Sequence, residues 1–197
     1  MVFSWSVLIF TSGINIFILL AFFCLAIIFL TYLIIYVPKF DYIQGRILSF
    51  FDRETGTHNF QSDKAIDSIT SGGFFGKGIG EGILKNRVPE AHTDYIISVI
   101  SEEFGVVAIM LILLLFLIFI YMVFKKISFE TDDKIKLILI GSISLILMQA
   151  TIHIGVNIRL FPTTGMTLPF LSYGGSSIIS TSILAGIILN LTKRKIN

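Results

Sequence analysis

The chain has few charged residues and a single cysteine, and both shortages narrow its class. Asp, Glu, Lys and Arg make up 14% of its 197 residues, whereas soluble domains average about 25%. Hydrophobic residues make up 54% of the chain. The lone cysteine, Cys24, excludes a disulfide framework and a cysteine-based metal site. The composition therefore predicts an integral membrane protein.

Features of several other protein classes are missing as well. The net charge is only +2 and no basic run alternates with aromatic residues, so no nucleic acid is expected as a partner. Residues 76–80, GKGIG, lack the Ser or Thr of a P-loop and the strand that precedes one. His58, His92 and His153 stand far apart, without a zinc-binding pattern. We therefore expect neither a nucleotide-binding loop nor a histidine metal site.

Long apolar runs are what the sequence does contain. Four of them are long enough to cross a hydrocarbon core of about 30 Å. A shorter apolar run occupies residues 1–11. The pattern predicts an all-α, polytopic transmembrane helix bundle, a single domain over residues 1–197 with one large extracytoplasmic loop. The predicted spans are 14–37, 96–124, 134–158 and 170–191, and the predicted loop is 38–95.

Basic residues cluster at two ends of these spans and indicate their orientation. Two spans lie between the clusters, so both clusters are on the same side of the membrane. The positive-inside rule makes that side cytoplasmic. It predicts a cytoplasmic C-terminus and places the loop and the turn 159–169 outside. The clusters are Lys125, Lys126, Lys134 and Lys136 at one boundary and Lys193, Arg194 and Lys195 at the other.

Glycine and charged residues meet in the segment 71–105, which runs directly into the second span. The six glycines between residues 72 and 82 predict a re-entrant or tightly turned segment, with close approach of chain to chain or of chain to ligand. Glu102 and Glu103 follow inside the span. A carboxylate there is costly unless it is paired or hydrated, so one of the two is expected to face the bundle.

Prolines and glycines also mark residues 162–177, before the last span. They predict a structural turn. Ser177, Thr181 and Ala185 recur every four positions after it, and small residues at this spacing allow close helix packing.

Asp94 admits two interpretations. It, or Thr93 before it, is a good cap for the helix that follows. Alternatively, its carboxylate lies at the outer membrane boundary, within reach of a lipid-linked substrate. Spacing alone favours the cap, because such caps are frequent, and leaves the second role open.

Three sequence blocks together resemble one family. They are GGFFGKGIG at 72–80, VPEAHTDYIISVISEEFG at 88–105 and PTTGMTLPFLSYGGSS at 162–177. Their order and spacing are similar to those of the FtsW/RodA/SpoVE family, the SEDS glycosyltransferases of bacterial cell-wall synthesis. The form PEAHTD is more similar to the division branch than to the elongation branch. His153 and Arg159 depart from the family pattern, which often has Asn and usually a small residue at these positions.

The resemblance covers essentially the whole chain but only the C-terminal half of the family's membrane bundle. Met1–Phe10 resembles the end of an earlier helix, so we expect a truncated product, a split reading frame or a partial sequence. On that expectation the chain alone is an inactive fragment of the polymerase, and supplying the missing half restores activity.

The resemblance implies that the chain polymerises lipid II into glycan strands during cell division. The growing glycan leaves its undecaprenyl pyrophosphate and joins the 4-hydroxyl of an incoming lipid II. The implied partners are a class B penicillin-binding protein, which is a transpeptidase, and other divisome proteins. The implied location is the bacterial cytoplasmic (inner) membrane. A lipid II-binding or lipid-flipping membrane protein is the alternative, since polar groups inside a membrane also serve such proteins.

Asp94 matches the essential aspartate of the family's HTD motif, so the resemblance implies that it is the catalytic base. The transfer also requires positive charge near the departing pyrophosphate. A divalent cation, Mg²⁺ or Mn²⁺, bridging Asp94 and pyrophosphate is a candidate cofactor, and no further metal ligands are assigned. The expected substrate-binding residues are Lys77, Lys85, Arg87, Glu90, His92, Thr93, Glu103, Ser172, Tyr173 and Ser176.

Overall fold

The computed structural model describes residues 2–37, 57–83 and 91–193, with the isolated positions 41, 43, 45 and 87 between them. Two of the expected site residues, Lys85 and Glu90, lie outside the described residues. Part of the predicted loop 38–95 and the basic residues Arg194 and Lys195 lie outside them as well.

The described residues form six α-helices and contain no strand. In chain order these are α1 Val2–Thr11, α2 Ile16–Tyr36, α3 Thr57–Gly72, α4 Ile96–Phe129, α5 Asp133–Asn157 and α6 Gly175–Thr192. Four of them, α2, α4, α5 and α6, are long and apolar enough to cross a membrane. The predicted all-α, polytopic membrane fold is confirmed.

Polar side chains mark where two of the spanning helices begin. Asn15 accepts a hydrogen bond from the backbone N–H of Phe17 at 3.0 Å, at the start of α2. Asp132 accepts one from the backbone N–H of Lys134 at 2.9 Å, at the start of α5. Each cap satisfies a backbone donor that the helix itself leaves without a partner.

The last span begins at Gly175, five positions after the predicted start at residue 170. The residues before it form a turn in which the N–H of Ser172 donates to the carbonyl of Leu168 at 3.1 Å. Phe170 within that turn has a φ of 66°, which is incompatible with a right-handed helix. The apolar run in the sequence therefore continues past the residues that are helical.

Buried apolar side chains form two main groups at different depths. One group lies between α4, α5 and α6. The other joins α3 to the start of α4 and the end of α5. The packing around α5 explains why more of it is buried than of any other spanning helix. The deep group contains Val123, Leu139, Ile143, Ile146 and Ile188, and the outer group contains Ala65, Ala91, Tyr95, Val99 and Val156.

The two N-terminal helices pack differently from the rest. Within α2, all of whose residues the structure describes, none is buried. The shorter α1 lies against α5, where a Cβ at Gly141 would stand 3.3 Å from the side chain of Leu8. The missing side chain at Gly141 therefore permits close approach of these two helices.

Three parts of the chain meet at one end of the bundle. The start of α4, the end of α5 and the segment before α6 are joined there by hydrogen bonds of Asn157 to Ser98 and of Ser172 to Thr93. Lys125 and Lys134 lie at the opposite ends of α4 and α5. The expected site residues around Asp94 therefore lie at the end of the bundle opposite these lysines.

Candidate functional site

Residues 92–94, the HTD segment, are held in place through three consecutive backbone carbonyls. The first carbonyl accepts a hydrogen bond from the backbone N–H of Tyr173 at 3.1 Å. The second accepts one from the hydroxyl of Ser172 at 2.7 Å, and the third accepts one from the side-chain amide of Asn157 at 2.9 Å. The main chain of the segment is therefore fixed from two directions, by α5 and by the segment before α6.

Asn157 connects the HTD segment to the start of α4. Its side-chain oxygen accepts hydrogen bonds from the backbone N–H of Ser98 at 3.2 Å and from the hydroxyl of Ser98 at 2.7 Å. Its amide also donates to the carbonyl of His153 at 2.8 Å. Asn157, Ser98 and His153 are all fully buried, so each of these bonds forms away from water.

The helix-cap interpretation of Asp94 is not supported by the boundary of α4. The helix begins at Ile96, and Tyr95 occupies the N-cap position. The side-chain oxygen that accepts from the first-turn N–H of Ser98 comes from Asn157, on another helix. The catalytic role of Asp94 stays a prediction.

The carboxylate of Asp94 lies beneath the turn that precedes α6. A Cβ at Gly165 would stand 3.7 Å from Asp94 Oδ2, and Gly165 has a φ of +69° that suits glycine. The carboxylate also affects Tyr95. Burial raises the pKa of Tyr95, its hydrogen bond with Ser62 lowers it, and the nearby charge of Asp94 raises it again. Asp94 is half-buried, between this turn and the start of α4.

A break in α4 creates a second polar region deeper in the structure. Gly105 has φ 79° and ψ −179°, a conformation outside the helical range and open mainly to glycine. It divides α4 into an outer segment, residues 96–104, and an inner segment, residues 106–129. Such a break leaves carbonyls of the outer segment and N–H groups of the inner segment without their usual partners.

The glycine-rich turn, residues 72–82, supplies the hydrogen bonds that the break removes. Two bonds run from the turn to the outer segment, and two run from the inner segment to the turn. The backbone of the turn thus pairs with both sides of the break. The bonds are Lys77 N to Glu102 O at 2.8 Å, Gly78 N to Glu103 O at 3.1 Å, Val106 N to Gly73 O at 3.0 Å and Val107 N to Phe74 O at 3.4 Å.

This pairing requires glycine at specific positions. A Cβ at Gly76 would overlap the carbonyl group of Glu103. A Cβ at Gly105 would overlap the carbonyl group of Phe74. The prediction of a tight turn with close approach of chain to chain is confirmed, and the partner of the turn is the break in α4.

Lys77 brings a charge into the same region. Its ammonium group pairs with Glu102 Oε1 at 3.0 Å, and the residue Glu102 is only 2% exposed. Glu102 is therefore the glutamate that faces the interior, as expected for one of the pair. Glu103 is half-buried, and its carbonyl accepts the N–H of Gly78.

Two of the predicted substrate-binding cations share a small cavity. Lys77 and Arg87 line a space of about 150 Å³ together with Lys64 and Glu102. The cavity contains both signs of charge, since Asp67 lines it too. Two of its three basic residues are already paired there, Lys64 with Asp67 at 3.1 Å and Lys77 with Glu102 at 3.0 Å.

The remaining expected site residues differ in exposure. His92 and Ser176 are exposed, and Tyr173 is 79% exposed, so their side chains are accessible. Ser172 is only 2% exposed. Its hydroxyl donates to the HTD segment and accepts from the N–H of Leu168 at 2.8 Å, which makes it a positioning residue in this structure.

The expected residues therefore fall into two groups along α4. His92, Thr93, Asp94, Ser172 and Tyr173 meet at its outer end. Lys77, Arg87 and Glu103 gather at the break. Seven residues lie between Asp94 and Glu102, and the six helical steps from Ile96 to Glu102 correspond to about 9 Å at 1.5 Å per residue.

Sequence reasoning missed two amides on α5, the buried Asn157 and the partly buried Gln149. Asn157 holds the HTD segment, and Gln149 donates to the carbonyl of Thr167 at 2.9 Å and to the hydroxyl of Ser177 at 2.8 Å. Both amides tie α5 to segments around α6 or α4. The available signal was the occurrence of Asn and Gln inside an apolar span, where such side chains form contacts between helices.

A metal site built from protein ligands alone is not found within residues 2–37, 57–83 and 91–193. No group of three or more His, Cys, Asp or Glu side chains there is arranged to hold an ion. Asp94 is one carboxylate, which suits an ion that takes its remaining ligands from substrate phosphates and water.

Curated relatives of the chain have consistent names. The chain is 37% identical over 158 residues to the "Probable peptidoglycan glycosyltransferase FtsW" of Caulobacter vibrioides, covering 79% of this chain and 40% of that protein. It is 36% identical over 156 residues to the protein of the same name from Enterococcus hirae, covering 74% and 39%. The relative from Trichlorobacter lovleyi is 34% identical over 190 residues, covering 94% and 49%. The chain thus spans less than half the length of these relatives.

A solved structure has a similar fold. It matches with a TM-score of 0.77 and 26% sequence identity, over 100% of this chain and 55% of the other. It is described as "Structural coordination of polymerization and crosslinking by a peptidoglycan synthase complex". The sequence profile of the FtsW/RodA/SpoVE family, described as cell cycle protein, matches residues 1–197. The chain belongs to the FtsW/RodA/SpoVE family.

Proposed function

We propose that this chain carries the catalytic portion of a peptidoglycan glycosyltransferase that polymerises lipid II during cell division. The observation that supports this most directly is the geometry of the HTD segment. Its three carbonyls are held by Tyr173, Ser172 and Asn157. The arrangement fixes the backbone of Asp94 at the outer end of α4, beside an exposed and glycine-containing turn.

The names of the relatives support the same reaction. Those from Caulobacter vibrioides and Enterococcus hirae are named peptidoglycan glycosyltransferases. The similar solved structure is of a complex that both polymerises and crosslinks peptidoglycan. Because this chain matches less than half of these relatives, the activity of the whole protein is part of the proposal.

The proposed reaction is a glycosyl transfer that displaces a pyrophosphate. The 4-hydroxyl oxygen of the incoming lipid II forms a bond to the anomeric carbon of the growing glycan. The bond from that carbon to the undecaprenyl pyrophosphate oxygen breaks, and the pyrophosphate leaves with the electron pair. Asp94 takes the proton of the attacking hydroxyl. A general base of this kind contributes about 10²–10⁴-fold to the rate.

The leaving pyrophosphate requires positive charge. Lys77 and Arg87 at the polar cavity are the candidates among the described residues, and Lys85 belongs to the same predicted set. Lys77 is paired with Glu102, so binding an anion would require it to share or exchange that partner. A divalent cation, Mg²⁺ or Mn²⁺, held by Asp94 and the pyrophosphate oxygens would supply further charge.

The proposal also covers orientation and partners. Lys125 and Lys126 lie at the end of the bundle opposite Asp94, which supports a cytoplasmic position for that end and for the C-terminus. Asp94 then faces the outside of the bacterial inner membrane.

A class B penicillin-binding protein is the proposed partner, since polymerised strands must be crosslinked. Other divisome proteins are proposed around the pair.

The test is synthesis of glycan strands from purified lipid II in proteoliposomes. Because the chain spans less than half the length of its relatives, it is assayed alone and with the complementary part of the Caulobacter vibrioides relative. Strands that depend on this chain support the proposal. Movement of lipid II across the bilayer without strand synthesis would instead identify a lipid-flipping protein. If neither activity is detected, a structural role remains.

A further inference from the structure

The glycine-rich turn exposes large apolar side chains. Phe74 is 74% exposed, Phe75 is 86% exposed and Ile79 is 80% exposed. Phe104, which directly precedes Gly105 in α4, is a further exposed apolar residue, at 45%. Single exposed apolar residues are common, but a cluster of this size on one short turn indicates a contact with something apolar.

The position of the turn along α4 indicates what that contact is. A hydrocarbon core of about 30 Å takes about 20 helical residues at 1.5 Å each. Counting that length from Lys125, at the charged end of the helix, reaches Gly105. The turn pairs with the backbone on both sides of Gly105, so it lies at the same depth, at the outer boundary of the hydrocarbon.

The backbone of the turn is suited to that boundary. Several of its N–H groups are already paired: Gly76 donates to Gly72 at 2.8 Å and Glu81 donates to Gly78 at 3.2 Å. The N–H groups of Lys77 and Gly78 donate to α4, as described above. Non-helical backbone tolerates the edge of a bilayer only when its polar groups find such partners.

We propose that the glycine-rich turn is a lipid-inserted wedge. Phe74, Phe75 and Ile79 enter the boundary between headgroups and acyl chains, while Lys77 and Glu81 remain at the polar level. Aromatic side chains are enriched at this depth, and apolar side chains contribute binding through their buried area. This contact with lipid holds whether or not the chain polymerises lipid II.

Fluorescence quenching tests the wedge, because the chain has only one tryptophan. Trp5→Phe removes it, and Phe75→Trp then reports the tip of the turn in phosphatidylcholine vesicles. Leu115→Trp is the deep control, as Leu115 is 58% exposed and lies midway between Gly105 and Lys125. Tyr173→Trp is the outer control, because Tyr173 pairs with the HTD segment beyond the outer end of α4.

We expect the reporter at position 75 to be quenched most by lipids brominated near the headgroup. Leu115→Trp should be quenched most by bromine near the acyl end, and Tyr173→Trp most by aqueous iodide. Quenching of position 75 by iodide alone would overturn the wedge. Protection from iodide and from both lipids would also overturn it, since protein would then cover the turn. Phe74→Trp repeats the measurement if Phe75→Trp does not fold.

Discussion

The glycine-rich turn is held against α4, whereas the HTD segment is held by α5 and by the segment before α6, and the means differ as well. The turn is held by backbone-to-backbone bonds that only glycine permits, as at Gly76 and Gly105. The HTD segment is held by side chains, those of Asn157 and Ser172, that reach its carbonyls. At the turn the backbone itself makes the contact with α4, and three apolar side chains of the turn are exposed. At the HTD segment the contact depends on side chains from other segments, so the two regions should respond differently to substitution.

The largest effect that separates the two regions is expected from Gly105→Ala. The new Cβ would overlap the carbonyl of Phe74 and strain a φ of 79°. Loss of the turn's hydrogen bonds adds to this, so we expect about 4–6 kcal/mol of destabilisation. Thermal unfolding in detergent measures it. Gly186→Ala, at a helical position with open space around it, is the control and should be neutral or slightly stabilising. Equal unfolding temperatures for the two variants would contradict the interlocked turn.

Asn157→Ala should have the next largest effect, in the other region. It leaves the N–H of Ser98 and the carbonyl of Asp94 without their partner in a buried site, which costs about 3–4 kcal/mol. Hydrogen exchange at Ser98 should accelerate, and thermal unfolding should shift downward. The matched control is Asn190→Ala, because Asn190 is exposed on α6. Slow exchange at Ser98 in the Asn157 variant would show that another group anchors the start of α4.

Lys77→Met tests the charge at the break in α4. It removes one cation from the buried carboxylate of Glu102, and we expect about 2 kcal/mol of destabilisation. Adding Glu102→Gln to this variant should recover part of the loss, because the amide carries no charge. The double-mutant cycle is measured by thermal unfolding. A purely additive cycle would mean that the Lys77–Glu102 pair contributes no coupling.

The smallest expected effect distinguishes Ser172 from Ser176, which were both predicted to bind substrate. Ser172→Ala removes the hydroxyl that joins Thr93 to Leu168, which should cost about 1–2 kcal/mol. Ser176 is exposed, so Ser176→Ala should change the unfolding free energy by less than about 0.5 kcal/mol. Comparable losses in both variants would remove the distinction between positioning and accessible side chains around the HTD segment.

The sequence predicted the general architecture because its signals are local. The apolar runs anticipated α2, α4, α5 and α6, and the glycines anticipated a close turn at residues 72–82. The pairing of that turn with Gly105 was not predictable, since it depends on two segments meeting in three dimensions. The late start of α6 was missed because the turn before Gly175 is as apolar as a helix.

Which of the candidate site residues lie together was predictable in part, for similar reasons. The resemblance identified residues 92–94 and 172–173 as site residues, and the structure brings them together. Asn157 was missed because its role depends on the antiparallel alignment of α4 and α5, which no short pattern reveals. The catalytic role of Asp94 and the substrate contacts of all ten predicted binding residues stay predictions.

The most direct test of the central claim is lipid II polymerisation by Asp94→Asn, assayed together with the complementary part of the Caulobacter vibrioides relative. Asn is nearly isosteric with Asp and remains a good capping residue, but it cannot act as a base. Asp133→Asn is the control, because the Asp133 side chain is 89% exposed at the opposite end of the bundle. At matched amounts in the membrane, we expect Asp133→Asn to retain strand synthesis and Asp94→Asn to lose about 100-fold or more. Strand synthesis by Asp94→Asn at the rate of the unmodified chain would contradict the assignment of Asp94 as the base.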